Sequence, residues 1–377
     1  MKISALTFAA ALCAAAPLVS RADISWIVKP AASTSGRMQL FVSRADKPLP
    51  RTILVETPKS AKQLKNMRFG DKNTGFSFTG INSRGVAVVF VGAGPTTEKP
   101  NAPKKGEHLY TGSYAVGQIL RNCKSAKQAV DLLRGAARKG LVSGSLILLI
   151  ADPNQAFVFE CSPRHQANYL IGLNYAVYSN VWKLPGMEDA SDRTPESLPG
   201  CAQREWLAKS GISRARKGDR KVSIPEAITV SRLTVAAAKG KKFSSAPCMQ
   251  NSIDAYLLEI DKKFPGILSC VFVAMGSQRH TVYLPIPLGA MDDLPEELVN
   301  GAWAAFADEA AKNDDPEAPV ADVILVLERC LFQEFNDIRY KAAQLLAEGK
   351  TGEAKALLSD TLRRQAQEVL KFMRERK

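Results

Sequence analysis

The sequence predicts a layered α+β fold: antiparallel sheets with helices outside them, followed by a C-terminal helical pair. Three observations carry this expectation. Paired runs of apolar and β-branched residues, joined by short turns, recur three times along the chain, which argues against a doubly wound parallel sheet. Helical segments separate these strand groups. Residues 320–348 and 351–375 then read as two helices meeting at Gly349.

The elements follow in order. Residues 24–28 are a short strand in which Ile24, Trp26 and Val28 alternate with Ser25 and Ile27, so one side should be buried against a sheet. A turn-rich link at 30–36 leads to a second strand at 38–42, with which the first should pair. Residues 52–57 are a third strand, closed by Pro58. Strands at 75–82 and 85–91 form a hairpin around Asn82-Ser83-Arg84-Gly85. Residues 93–107 are a loop. Helices follow at 113–122 and, capped by Ser125, up to about Arg138. A second hairpin joins 146–151 to 156–160 around Asp152-Pro153-Asn154. Residues 175–180 are a strand, and 183–221 a long polar loop or small helical excursion. A helix at 225–238, a third hairpin from 270–274 to 281–284 and a helix at 295–311 complete the series. Asn313-Asp314-Asp315-Pro316 breaks the chain before the final pair.

Composition excludes several classes. The 377 residues are 46% hydrophobic and 23% charged, so the chain is not of the disordered kind. Lys and Arg exceed Asp and Glu, 51 to 37, for a net charge of +14, but aromatics at 7% are too sparse for a base-stacking nucleic-acid surface. With three His and no paired Cys/His spacing, neither a metal centre nor another cofactor is expected. Lys2, the uncharged apolar run 3–19 and Ser20-Arg21-Ala22 form a signal-peptide pattern. Cleavage after Ala22 would make Asp23 the first residue of a secreted or periplasmic protein with no membrane span. Leu12 before Cys13 does not suit a lipid anchor. The expected organisation is a signal peptide over 1–22, one layered domain over 23–311 and a helical hairpin packed on it over 312–377. Six cysteines remain after cleavage, expected as mostly buried thiols with at most one bridge.

Four places invite chemistry. The basic group Arg204, Lys209, Arg214, Arg216, Lys217, Arg220 and Lys221 suits an anionic envelope polymer or, more plainly, a solvated loop. Cys161 and His165 lie four apart at a strand exit, as a thiol and its base or as an incidental pair. Asp292-Asp293 is a carboxylate pair or a cap for the following helix. Asp23 acquires an α-amine on processing, and a Cys, Ser or Thr there would use that amine as its base.

Several segments together resemble a family. Ser25-Trp26-Ile27-Val28, the later Gly36 before a strand, Gly80-Ile81-Asn82-Ser83-Arg84-Gly85-Val86-Ala87, Ala151-Asp152-Pro153 through Glu160-Cys161-Ser162-Pro163, Ser179-Asn180, and Tyr283-Leu284-Pro285 to Leu294-Pro295 occur in the order found in N-terminal nucleophile (Ntn) hydrolases. The chain resembles the acyl-coenzyme A:6-aminopenicillanic acid acyltransferase-like cysteine peptidases, with penicillin V acylases more distant. The resemblance spans about residues 23–370. It implies a four-layer αββα sandwich and linear amide C–N hydrolysis or acyl transfer on acyl-amide or peptide-like substrates. Onto this chain it carries Asp23 at the nucleophile position, Arg44, the shifted Asp46, and Asn180 as oxyanion donor. Three departures stand out: Asp23 replaces the family's Cys, Ser43-Arg44-Ala45 replaces Asn-Arg-Asp, and Val181 stands where His follows Asn. The expectation is a copy degenerate at its nucleophile. The alternatives are an amidohydrolase using a further-trimmed Ser25 or a pocket Cys, and a non-enzymatic basic envelope-binding protein.

Overall fold

The structure, a computed structural model, describes residues 23–45, 51–94, 96–172, 174–190, 199–218, 220–312 and 320–375. Thirteen strands are named among them: β1 (Ile24–Val28), β2 (Met38–Ala45), β3 (Thr52–Glu56), β4 (Asn66–Gly70), β5 (Ser77–Asn82), β6 (Ala87–Gly92), β7 (Leu146–Ala151), β8 (Ala156–Cys161), β9 (Gln166–Leu170), β10 (Tyr175–Ser179), β11 (Ser252–Ile260), β12 (Cys270–Ala274) and β13 (Leu284–Pro287). They form two antiparallel sheets, one ordered β10-β1-β2-β11-β12-β13 and the other β3 through β9 in sequence order. β1 and β2 face β6 and β7 across the interior. The expected pairing of 24–28 with 38–42 is present, with Ile24 opposite Ser43.

The helices are α1 (Gly112–Asn122), α2 (Ala126–Arg138), α3 (Pro199–Ala215), α4 (Ile224–Ser231), α5 (Pro265–Leu268), α6 (Glu296–Asn300), α7 (Ala302–Lys312), α8 (Val320–Ala347) and α9 (Thr351–Arg374). α1 and α2 cover β5 to β8, α3 lies against β10, and α8 and α9 lie against β13. Helices therefore flank both sheets, giving four layers. This covering explains one difference from the alternation expected in β1. All five of its residues are buried, because the face turned away from the second sheet is also covered. Trp26 stacks on Phe41 with ring centroids 3.7 Å apart.

Several expected elements change in detail. Residues 199–215, expected as loop or short excursion, are a 17-residue helix. The 295–311 helix is split by Gly301, whose φ of +91° ends α6 before α7 starts. Helix α4 stops at Ser231, and a separate 3-10 turn holds Val235–Ala238. Gly349, at φ +79°, makes the expected turn between α8 and α9. Asp292 and Asp293 do not cap α6, whose N-cap Pro295 makes no side-chain bond. Asp292 pairs with Lys65, and Asp293 accepts from Ser359 Oγ at 2.8 Å. Asn82 holds its hairpin through Arg84 N and Val86 N, both 3.0 Å, and donates to Leu120 and Cys123 carbonyls at the end of α1.

β4, β9 and β11 were not expected. β11 is central and buried at all nine positions, yet it contains Asp254 and Glu259, which disguise its apolar character. Both acids are neutralised by arginines, Asp254 by Arg44 and Glu259 by Arg339. Cys123, Cys161, Cys201, Cys248 and Cys270 are buried free thiols, while Cys330 is exposed.

Candidate functional site

Sheet register assembles the site. Ile24 lies opposite both Ser43 on β2 and Ser179 on β10. The antiparallel register, continued one step, brings Asp23 level with Arg44 on one side and Asn180 on the other. Arg44 in turn lies opposite Asp254 on β11. Four polar residues on or just beyond the ends of four neighbouring strands thus form one row at the end of the six-stranded sheet, each buried to at least nine-tenths.

The row is tied together in detail. Asn180 Nδ2 donates to Asp23 Oδ2 at 3.4 Å and to the Gly92 carbonyl at 2.7 Å. Ser179 Oγ donates to the Asp23 carbonyl at 2.9 Å. Arg204, from the first turns of α3, donates to Asn180 Oδ1 at 3.0 Å, Ser179 Oγ at 2.8 Å, Cys201 Sγ at 3.3 Å and Ser245 Oγ at 2.8 Å. By occupying Oδ1, the guanidinium turns the Asn180 amide so that its N–H donors face Asp23 and Gly92. Glu205, one residue on, accepts from Ser179 N at 2.9 Å.

Arg44 makes a two-point contact with Asp254, Nε to Oδ1 at 2.9 Å and a terminal nitrogen to Oδ2, and its guanidinium lies 3.6 Å from the centre of the Phe78 ring. Burial works against the Arg44 charge, but Asp254 first, then Tyr256 and Asp23, hold its pKa above the ordinary value. Asp23 sits in the field of Arg44, while the Arg44 fork is engaged by Asp254. Asp46 lies outside the described residues, as does the segment 1–22.

The arrangement can hold an anion at residue 23 and orient an amide donor beside it. The thiol that the resemblance requires there is absent, because residue 23 is a carboxylic acid. Sequence reasoning found Asp23, Arg44 and the Ser179-Asn180 pair but missed Asp254 and Glu205, and it placed Arg204 in a basic group read as an anion-binding surface or a solvated loop. Its signal was the helical spacing of Cys201, Arg204, Ala208 and Ile212, all on one buried face.

The Cys161–His165 pair does not assemble. Cys161 is fully buried, and desolvation pushes its thiol pKa far up. His165 Nδ1 instead contacts Glu98, which also accepts from Ser162 Oγ at 2.6 Å and Arg164 N at 2.8 Å. Among the described residues no group of three His, Cys, Asp or Glu side chains is placed to hold a metal, and no helix is long and apolar enough to cross a membrane.

No family model and no curated protein matches the chain. Among solved structures it is similar to penicillin V acylase from Agrobacterium tumefaciens, at 13% identity and TM-score 0.45, over 73% of this chain and 88% of that one. It is similar to the conjugated bile acid hydrolase of Clostridium perfringens, in a variant form, at 10% and 0.47, over 71% and 92%. The Caenorhabditis elegans ortholog of N-acylethanolamine-hydrolyzing acid amidase aligns at 9% and 0.42, over 65% and 93%. Penicillin V acylases are among the relatives named by the resemblance in sequence. At these identities and scores the likeness assigns no residue a role.

Proposed function

We propose that this chain is an exported protein of Ntn-type amide C–N hydrolase or acyltransferase ancestry that has lost thiol-dependent turnover and keeps a cleft for acyl-amide or peptide-like ligands. The observation that carries this reading is the buried carboxylate of Asp23 at the head of β1, contacted by Asn180 and lying in the field of Arg44. A nucleophile at this position needs a lone pair that survives ionisation as a good attacking group. A carboxylate attacking an amide gives an anhydride and must expel an amine, which is uphill. Engagement of the Asp23 carboxylate by Asn180 Nδ2 makes it a still poorer attacking group. The Asn180 amide, held in orientation by Arg204, would serve a ligand carbonyl by exchanging its bond to Asp23 for one to the ligand.

The test is amine release from a panel of acyl-amides, including a penicillin, on material from an exporting host. Mass spectrometry of that material is expected to show Asp23 as the first residue. No amine release above background is expected from the wild type. Turnover that disappears in Asp23→Ala overturns the reading, and an intact Met1 in mature material removes its processing step.

A second reading is favoured by one contact. Cys201 lies in the first turn of α3 and receives a hydrogen bond from Arg204, the arginine that also grips Asn180. The thiol is thereby tied to the same guanidinium as the Asp23 row. Turnover lost in Cys201→Ser but retained in Asp23→Ala would select this reading.

A further inference from the structure

A cavity of about 490 Å³, lined by none of Asp23, Arg44, Asn180 and Asp254, lies beside β9, the edge of one sheet, and β10, the edge of the other. Its apolar wall is Ile171 and Val177, both buried, with the rings of Tyr169, Tyr175 and Tyr178 around it. Burial raises the Tyr178 phenol pKa, so its hydroxyl stays a neutral donor. Three cations line the remaining side. Lys183 and Lys209 share one carboxylate, Glu205, at 2.5 and 3.4 Å. Arg216 is different: among the described residues it makes no ion pair, and its Nε is buried without a hydrogen-bond partner. Its guanidinium is 5.7 Å from the Tyr175 ring centre, and Tyr175 is fixed by a 2.8 Å bond to Ser213 Oγ. Glu160, whose backbone-bonded carboxyl lies behind Lys183, is the other acid near this side.

The chemistry is therefore an apolar and aromatic enclosure of drug-like size with surplus positive charge and one uncommitted guanidinium. We propose that this cavity binds an amphiphilic carboxylate, its apolar body between the tyrosines and its head group on Arg216, with Lys183 and Lys209 beside it. Arg216 would supply the planar two-point contact that a carboxylate fits and a neutral amide does not. The body is either an aromatic ring system or an aliphatic chain, and both present the same head group. This site stands on its own residues and does not depend on the chemistry of Asp23.

The experiment is isothermal titration of the full chain at pH 6 with 2-naphthoate and decanoate, each beside its neutral amide. At least one carboxylate is expected to bind about tenfold or more tightly than its amide, and the stronger one identifies the body. Arg216→Gln should weaken that carboxylate about tenfold and leave the amide unchanged. Lys209→Gln, at an exposed position, should weaken it about two- to threefold and serves as the readout if Arg216→Gln fails to fold. Equal binding of acid and amide, no binding of either acid at millimolar concentration, or wild-type affinity in a folded Arg216→Gln variant overturns the proposal.

Discussion

Two corners of the molecule offered chemistry, and only one assembled. Cys161 and His165 are four residues apart, yet the strand end sends the thiol into the core and the ring outward to Glu98. Asp23 and Asn180 are 157 residues apart, yet they touch. The difference lies in what sets position. Proximity in sequence fixes little here: the chain reverses between the two residues, Cys161 lies opposite Gln166, and His165, next to Gln166, leaves on the other face. Antiparallel register across β10, β1, β2 and β11 fixes a whole row at once. The assembled corner is also the one built on buried, fully engaged charge, whereas His165 at the other corner is about one-third exposed.

The largest expected effect separates these corners by what a broken ion pair costs. Asp254→Ala leaves Arg44 buried without its two-point partner, and removing one member of a buried pair costs about 3–5 kcal/mol. Urea denaturation is expected to show a loss of that size. Asp254→Asn keeps one acceptor and should lose less. A loss below about 1 kcal/mol for Asp254→Ala would mean that the row is solvated and that the contrast with the outer corner is false.

The same contrast explains what was legible in the sequence. β1, β2, the β5–β6 and β7–β8 hairpins and the α8–α9 pair were readable because apolar periodicity and turn residues agree there. The row itself was readable at Asp23, which the processing pattern and the resemblance both marked, and at Arg44 and Asn180, which only the resemblance marked. Asp254 was invisible for a physical reason. Two acids inside β11 break the apolar run that identifies a buried strand, and only the tertiary partners Arg44 and Arg339 make them tolerable. Arg204 was hidden by its neighbours, since Lys209, Arg214 and Lys217 made one buried guanidinium look like part of a charged surface.

Glu160 gives the next effect and links the corners. It precedes Cys161 on β8 and accepts from Lys183 N and Leu184 N, just after Asn180. Burial raises its pKa from 4.5 to about 7, against the lowering effect of these backbone bonds. A carboxyl with a raised folded pKa keeps its proton in the folded state after the unfolded state has released it. Folding stability from this group therefore falls as pH rises from about 4.5 to about 7, by on the order of 2–3 kcal/mol. Glu160→Gln removes the ionisation and should flatten that part of the stability–pH curve. An unchanged slope in the variant would assign it to other groups.

The smallest effect belongs to the unassembled corner. Glu98 is in partial contact with solvent and collects Ser162 Oγ, Arg164 N and His165 Nδ1. Burial opposes its charge, but these hydrogen bonds, Ser162 first, bring its pKa below 4.5. The sign is opposite to that of Glu160: this stabilisation is present above the ordinary carboxylate value and is lost as pH falls through the lowered one. Solvent screening and the exposed imidazole limit it, so Glu98→Gln should cost under about 1 kcal/mol at pH 7 and less at acid pH. Thermal unfolding at pH 7 and along a falling pH series checks both parts. A loss at pH 7 as large as that of Asp254→Ala would make the Glu98 corner a second structural centre, and register would no longer explain why one corner carries more of the stability than the other.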